Sequence, residues 1–135
     1  MTAITTRPAP DTDHSLLRFS LRADATLCAG AGLFVAMAAD PLARLSGLPA
    51  TAEWIGGAAL VVYGVLLYAA AGIADVRRVG VGVVAGNAIF TAAVAVVLAT
   101  GVLPLTGVGV TATAAFAAAT AGLTRLQYLG LRRLA

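Results

Sequence analysis

Long apolar runs separated by short polar breaks dominate this chain. They fall at 21–39, 54–73, 79–103 and 108–126, with few charges inside them. A helix rises about 1.5 Å per residue, so about 20 apolar residues cross a hydrocarbon core of roughly 30 Å. The pattern predicts an all-α fold: a polytopic membrane protein whose residues 16–135 form a four-transmembrane-helix bundle. Residues 1–15, rich in Thr, Pro, Asp and Ala without apolar periodicity, read as a disordered cytoplasmic tail.

The breaks carry their own signals. Asp40 before Pro41 is a capping side chain ahead of a proline at the first helical position. Pro41 to Ser46 therefore predicts a short interfacial helix between helices 1 and 2, stopped by Gly47 and Pro49. Thr51 reads as the N-cap of the second span, with Trp54 as its interfacial anchor. Asp75, Arg77 and Arg78 form a polar turn before the third span, and Gly101 and Pro104 close it. Thr124, Arg125, Gln127 and Tyr128 carry the fourth span into the interface. The first run also has a signal-peptide aspect, with arginines ahead of it and Ala36-Met37-Ala38 behind. Its length and the interruption at Asp24 favour a retained span.

Composition agrees with a lipid exterior. Hydrophobic residues make up 60% of the chain and charged residues 11%, and the mean hydropathy is +0.94. So few charges could not cover a water-exposed surface without large apolar patches. All nine basic residues are arginine and the net charge is +3, but they lie between apolar runs rather than on one folded face. No nucleic-acid partner is expected from that distribution.

The arginines do sort by side. Arg7, Arg18, Arg22, Arg77, Arg78, Arg125, Arg132 and Arg133 share one end of a four-span bundle, and only Arg44 lies at the other. The positive-inside bias then places both termini in the cytoplasm.

Few polar groups remain inside the spans. On helix 1, Asp24, Cys28 and Gly32 follow at i, i+4 spacing, so Asp24 points into the bundle close to the cytoplasmic boundary. Arg125 stands at the corresponding depth of helix 4. Two readings follow: an Asp24–Arg125 ion pair fixing helix 1 to helix 4, or two side chains snorkelling separately to water. Asn87 falls near the bilayer centre, where an amide bonds across helices or, less commonly, meets a ligand. Small residues that let helices approach closely are Gly32 on helix 1, Gly57 and Gly64 on helix 2, Gly82 and Gly86 on helix 3, and Gly122 in line with Ala114 and Ala118 on helix 4. Thr113, Thr120 and Thr124 form a mild polar stripe.

The chemistry of a reaction centre is not evident. The single cysteine, Cys28, excludes an intrachain disulfide and reads as a packing residue. His14 stands alone in the tail. With no paired carboxylates in a span, no histidine cluster and no phosphate loop, the sequence predicts no catalytic, cofactor or metal site.

Leu21-Arg22-Ala23-Asp24-Ala25, the Asp40-Pro41…Gly47-Leu48-Pro49 connector and the ending Leu126-Gln127-Tyr128-Leu129-Gly130-Leu131-Arg132-Arg133 resemble uncharacterised small four-helix integral membrane proteins of actinobacteria. The likeness covers roughly residues 16–133 together with the span pattern, and the plan is more distantly similar to the DoxX-like group. It implies fold and location only. The expected role is a non-catalytic structural or accessory component of a membrane assembly, with the lipid bilayer and a homo-oligomer or larger complex as partners. The alternatives are a small dimeric transporter and a DoxX-like quinone- or redox-linked subunit.

Overall fold

A computed structural model describes residues 12–135, with side chains from His14 onward. Most of the tail expected over 1–15 lies outside these residues. The described chain forms α1 (Thr12–Met37), α2 (Ala39–Ser46), α3 (Ala50–Ala70), α4 (Val76–Thr100) and α5 (Gly107–Arg133). Four of these, α1, α3, α4 and α5, are long and apolar enough to cross a membrane. The chain is an all-α membrane-type bundle, with α2 as a short link between its first two spans.

α1 begins well before the predicted Leu21. Arg18 and Arg22 lower the hydropathy of that stretch, but they fall outside the inward stripe of Leu17, Leu21, Ala25 and Cys28, all buried. Arg22 lies over the Tyr68 ring at 5.5 Å, and the Arg18 guanidinium donates to the carbonyls of Ala71 (2.6 Å) and Ile73 (3.1 Å). Those carbonyls follow the end of α3, where helix hydrogen bonding runs out and a cation is favourable.

Helix ends differ from expectation in instructive ways. Asp40 lies within the first turn of α2 rather than capping it; the N-cap is Ala38, without a side-chain bond. Gly47 does end α2, at φ 86°, a left-handed conformation that glycine adopts without a Cβ clash. Thr51 is likewise inside α3, whose N-cap is Pro49 in an extended conformation. Asp75 caps α4 by accepting from the Arg78 backbone N–H at 3.3 Å, which draws Arg77 and Arg78 into the helix. Thr106 caps α5 through Gly109 N–H at 3.1 Å.

α1 is the central helix. It packs most extensively on α3, then on α5, and more lightly on α4, while α4 packs on α5. No substantial contact joins α3 to α4, so the bundle is open along that seam. The α1–α3 contact is close because of glycine. A Cβ at Gly32 would lie 2.5 Å from Gly57 O, and one at Gly64 2.6 Å from Ala25 O. Gly82, Gly86 and Gly122 behave oppositely: a Cβ there meets nothing within 4 Å. The expected packing faces of helices 3 and 4 thus turn outward, because α4 and α5 present Val76, Gly80 and Asn87, and Ala117, Thr120, Gln127 and Gly130, to the interior instead.

The best-packed apolar core lies at the end where α1 begins and α5 finishes. Leu17, Leu21, Ala25, Leu67, Ala71 and Val76 form it, flanked by Val79, Val83, Leu131 and Leu134. Toward the α2 end α3 and α5 stand apart, while α1 and α3 stay in near backbone contact at Gly57 and Ala36.

Candidate functional site

A carboxylate can sit inside an apolar bundle only if other groups replace the water it loses. Asp24 is 1% exposed and meets that condition with uncharged partners. Asn87 Nδ2 on α4 and Gln127 Nε2 on α5 each donate to Asp24 Oδ2 at 2.8 Å. Cys28, one turn along α1, donates its thiol to Asp24 Oδ1 at 3.5 Å. Asn87 Nδ2 also approaches Gln127 Oε1 at 3.4 Å, and the Tyr63 hydroxyl on α3 donates to Asn87 Oδ1 at 3.4 Å. All four long helices therefore contribute to one hydrogen-bonded cluster. Both amides thus turn their amino groups to the same carboxylate oxygen. Gln127 is 0% and Asn87 6% exposed, which leaves their alternatives outside the cluster few.

The cluster corrects one expectation about Asp24, which lies ten residues along the apolar helix His14–Met37, roughly 15 Å from its first residue. It does not pair with Arg125, which is exposed. Among the described residues the ion pair is Arg78 Nε to Asp75 Oδ2, at 3.1 Å on the surface. The geometry of α5 explains the substitution of partner. Thr113, Thr120 and Gln127 recur at seven-residue spacing, two helical turns each, and Thr120 and Gln127 are buried. Arg125, two residues before Gln127, projects away.

Sequence reasoning singled out Asp24 and Asn87 but placed Gln127 in the interface and took Cys28 for a packing residue. The heptad repeat ending at Gln127 is the signal that finds it. Tyr63 has no comparable sequence signal, because only the open α3–α4 seam lets it reach Asn87. Thr124, in the expected polar stripe, bonds its own helix at Thr120 O (2.7 Å), as does Thr120 at Phe116 O (3.0 Å).

A second feature adjoins the cluster. Toward the α2 end, α3 and α5 form the walls of a groove of about 680 Å³ whose floor is the Ala31, Phe34 and Val35 face of α1. α2 and the following connector contribute Leu42, Leu45 and Leu48 to the lining at one end. Tyr63 and Phe90 close the other, with Phe90 packed edge-on against Phe116 at 6.1 Å between ring centres. The lining is apolar apart from Ser46, Glu53, Tyr63 and Thr113. The Ser46 hydroxyl donates to Glu53, and Leu48 N–H donates to Ser46 Oγ at 3.2 Å. Tyr63 thus stands between the groove and the polar cluster.

Among the described residues no three His, Cys, Asp or Glu side chains gather as metal ligands would. Comparison with protein families, curated proteins and solved structures gives no match for this chain.

Proposed function

We infer that this chain is a non-catalytic component of the bacterial inner membrane, with both termini in the cytoplasm, serving as a structural or accessory subunit that packs against itself or within a larger membrane assembly. The observation that carries this reading is the enclosure of Asp24. The carboxylate accepts from Asn87, Gln127 and Cys28 and is 1% exposed, so the hydrogen bonds it makes come from its own helices. Such a cluster ties α1, α4 and α5 together, which is the common use of polar side chains between membrane helices. A small transporter would ask the same carboxylate to meet substrate or a water path, and its enclosure speaks against that use. The outward turn of Gly82 and Gly86 on α4 leaves a small-residue surface free for a neighbouring helix.

Native mass spectrometry of the protein released from membranes in mild detergent tests the reading. The expected species is an oligomer or a stoichiometric complex with another membrane protein. A bare monomer at all concentrations overturns it, and retained quinone, haem or flavin would favour the DoxX-like redox alternative instead.

A further inference from the structure

The groove between α3 and α5 has a length, a polarity and a charge that together specify an occupant. Its polar end is set by Glu53, in the first turn of α3, and its blind end by Tyr63. Ten helical residues separate the two, about 15 Å, which is the depth of one leaflet of a hydrocarbon core roughly 30 Å thick. Between them the walls are Gly56, Ala59 and Leu60 on α3 facing Val108, Ala112 and Phe116 on α5. Placed in a bilayer with α2 at the interface, the surface would reach toward the midplane, apolar between its ends apart from Thr113, with a carboxyl group at the α2 end.

That carboxyl group is held in place but not neutralised. Ser46 donates to it, and Leu48 N–H fixes Ser46 in turn. Among the described residues Glu53 has no ion-pair partner, and the basic side chains other than Arg44 belong to the opposite end of the bundle. An acidic group at the head of a leaflet-deep apolar groove is complementary to a cation carried on a hydrocarbon chain.

We propose that the groove seats one acyl chain of a phospholipid with a primary-amine headgroup, whose ammonium donates to the Glu53 carboxylate. A primary ammonium offers N–H donors and positive charge at the interface, whereas an anionic headgroup would meet Glu53 with like charge. The small side chain of Ala112 leaves room for the acyl chain, and the rings of Phe90, Phe116 and Tyr63 mark where its terminal methyl stops. Seating a lipid here is independent of the assembly role inferred above and of which side of the membrane α2 faces.

The test is retained-lipid analysis by native mass spectrometry, on protein reconstituted in vesicles holding dioleoyl phosphatidylethanolamine, phosphatidylcholine and phosphatidylglycerol in equal amounts. Wild type is expected to carry one lipid and to prefer the amine headgroup over phosphatidylglycerol by about fivefold, the scale of one partly exposed ion pair. Phosphatidylcholine, cationic at nitrogen but without N–H donors, should fall between. Glu53→Gln keeps an acceptor for Ser46 and should retain a lipid with the amine preference lost. Ala112→Trp fills the groove and should retain none, while eluting in gel filtration as wild type does. Equal retention of the three headgroups by wild type overturns the proposal, as does an undiminished preference in Glu53→Gln. A groove that holds no lipid but saturably binds tetraphenylphosphonium would assign it to soluble lipophilic cations and overturn it equally.

Discussion

Asp24 shows how a single side chain is made tolerable in an apolar interior. Its two carboxylate oxygens accept from two amides and a thiol, and the amides come from different helices. Removing the carboxylate leaves the Asn87 and Gln127 amino groups without their acceptor, so Asp24→Ala should lose roughly 1–3 kcal/mol of folding stability. In a double-mutant cycle followed by denaturant titration in detergent, Asp24→Ala and Gln127→Ala should couple by about 0.6–2 kcal/mol. The cycle of Asp24→Ala with Arg125→Ala should be additive; coupling there would contradict the cluster. Arg18 acts at the same scale by a different route. Its guanidinium satisfies two carbonyls after the last turn of α3, so Arg18→Gln should cost about 1 kcal/mol. An unchanged melting temperature for that variant would mean that the contact carries no net stability.

At the scale of the helix, the glycines divide into two populations that look alike in sequence. Gly32, Gly57 and Gly64 bring α1 and α3 to near backbone contact, and an added Cβ at Gly64 would lie 2.6 Å from a carbonyl oxygen. Gly64→Ala must push the helices apart and should destabilise by roughly 1–3 kcal/mol. Gly86 faces open space, so Gly86→Ala should leave monomer stability unchanged or raise it by up to about 1 kcal/mol, the helix-interior penalty of glycine. Thermal unfolding of the two variants side by side decides the matter; equal losses would place Gly86 inside the bundle. The GxxxG spacing of Gly82 and Gly86 was legible in the chain, but its direction was not. Spacing says which residues share a face, whereas the choice of face depends on what the neighbouring helices offer. On α4 the decisive residue is Asn87, one position beyond Gly86, whose bonds to Asp24 and Gln127 rotate it inward and the glycines outward.

For the whole molecule, an even number of spans brings the start of α1 and the end of α5 to one side of the membrane, and the orientation proposed above takes that arginine-bearing side as cytoplasmic. A fluorescent protein fused after Ala135 should fluoresce in cells, and alkaline phosphatase fused within 101–106 should be active. The reverse pattern would invert the orientation, and two termini on opposite sides would remove one span from the count. Packing is uneven along the bundle axis. The end where α1 begins and α5 finishes holds the apolar core, and the α2 end opens into the groove. α2 and the connector after α4 bridge that end through Thr106, whose hydroxyl donates to Leu45 O while its backbone N–H donates to Ser46 O at 2.9 Å. The open seam and the bridged end let Tyr63 and Glu53 border a shared apolar surface.

Hydrophobic run length and the polar breaks, read along one dimension, determined the helix count and the short link after the first span. They could do so because a bilayer imposes a fixed thickness and penalises each charge locally, without reference to neighbours. Which face of each helix turns inward was decided only in three dimensions. The Asp24 partners, the outward glycines and the groove all arise from side chains distant in sequence competing for the same interior, a competition that no single segment records.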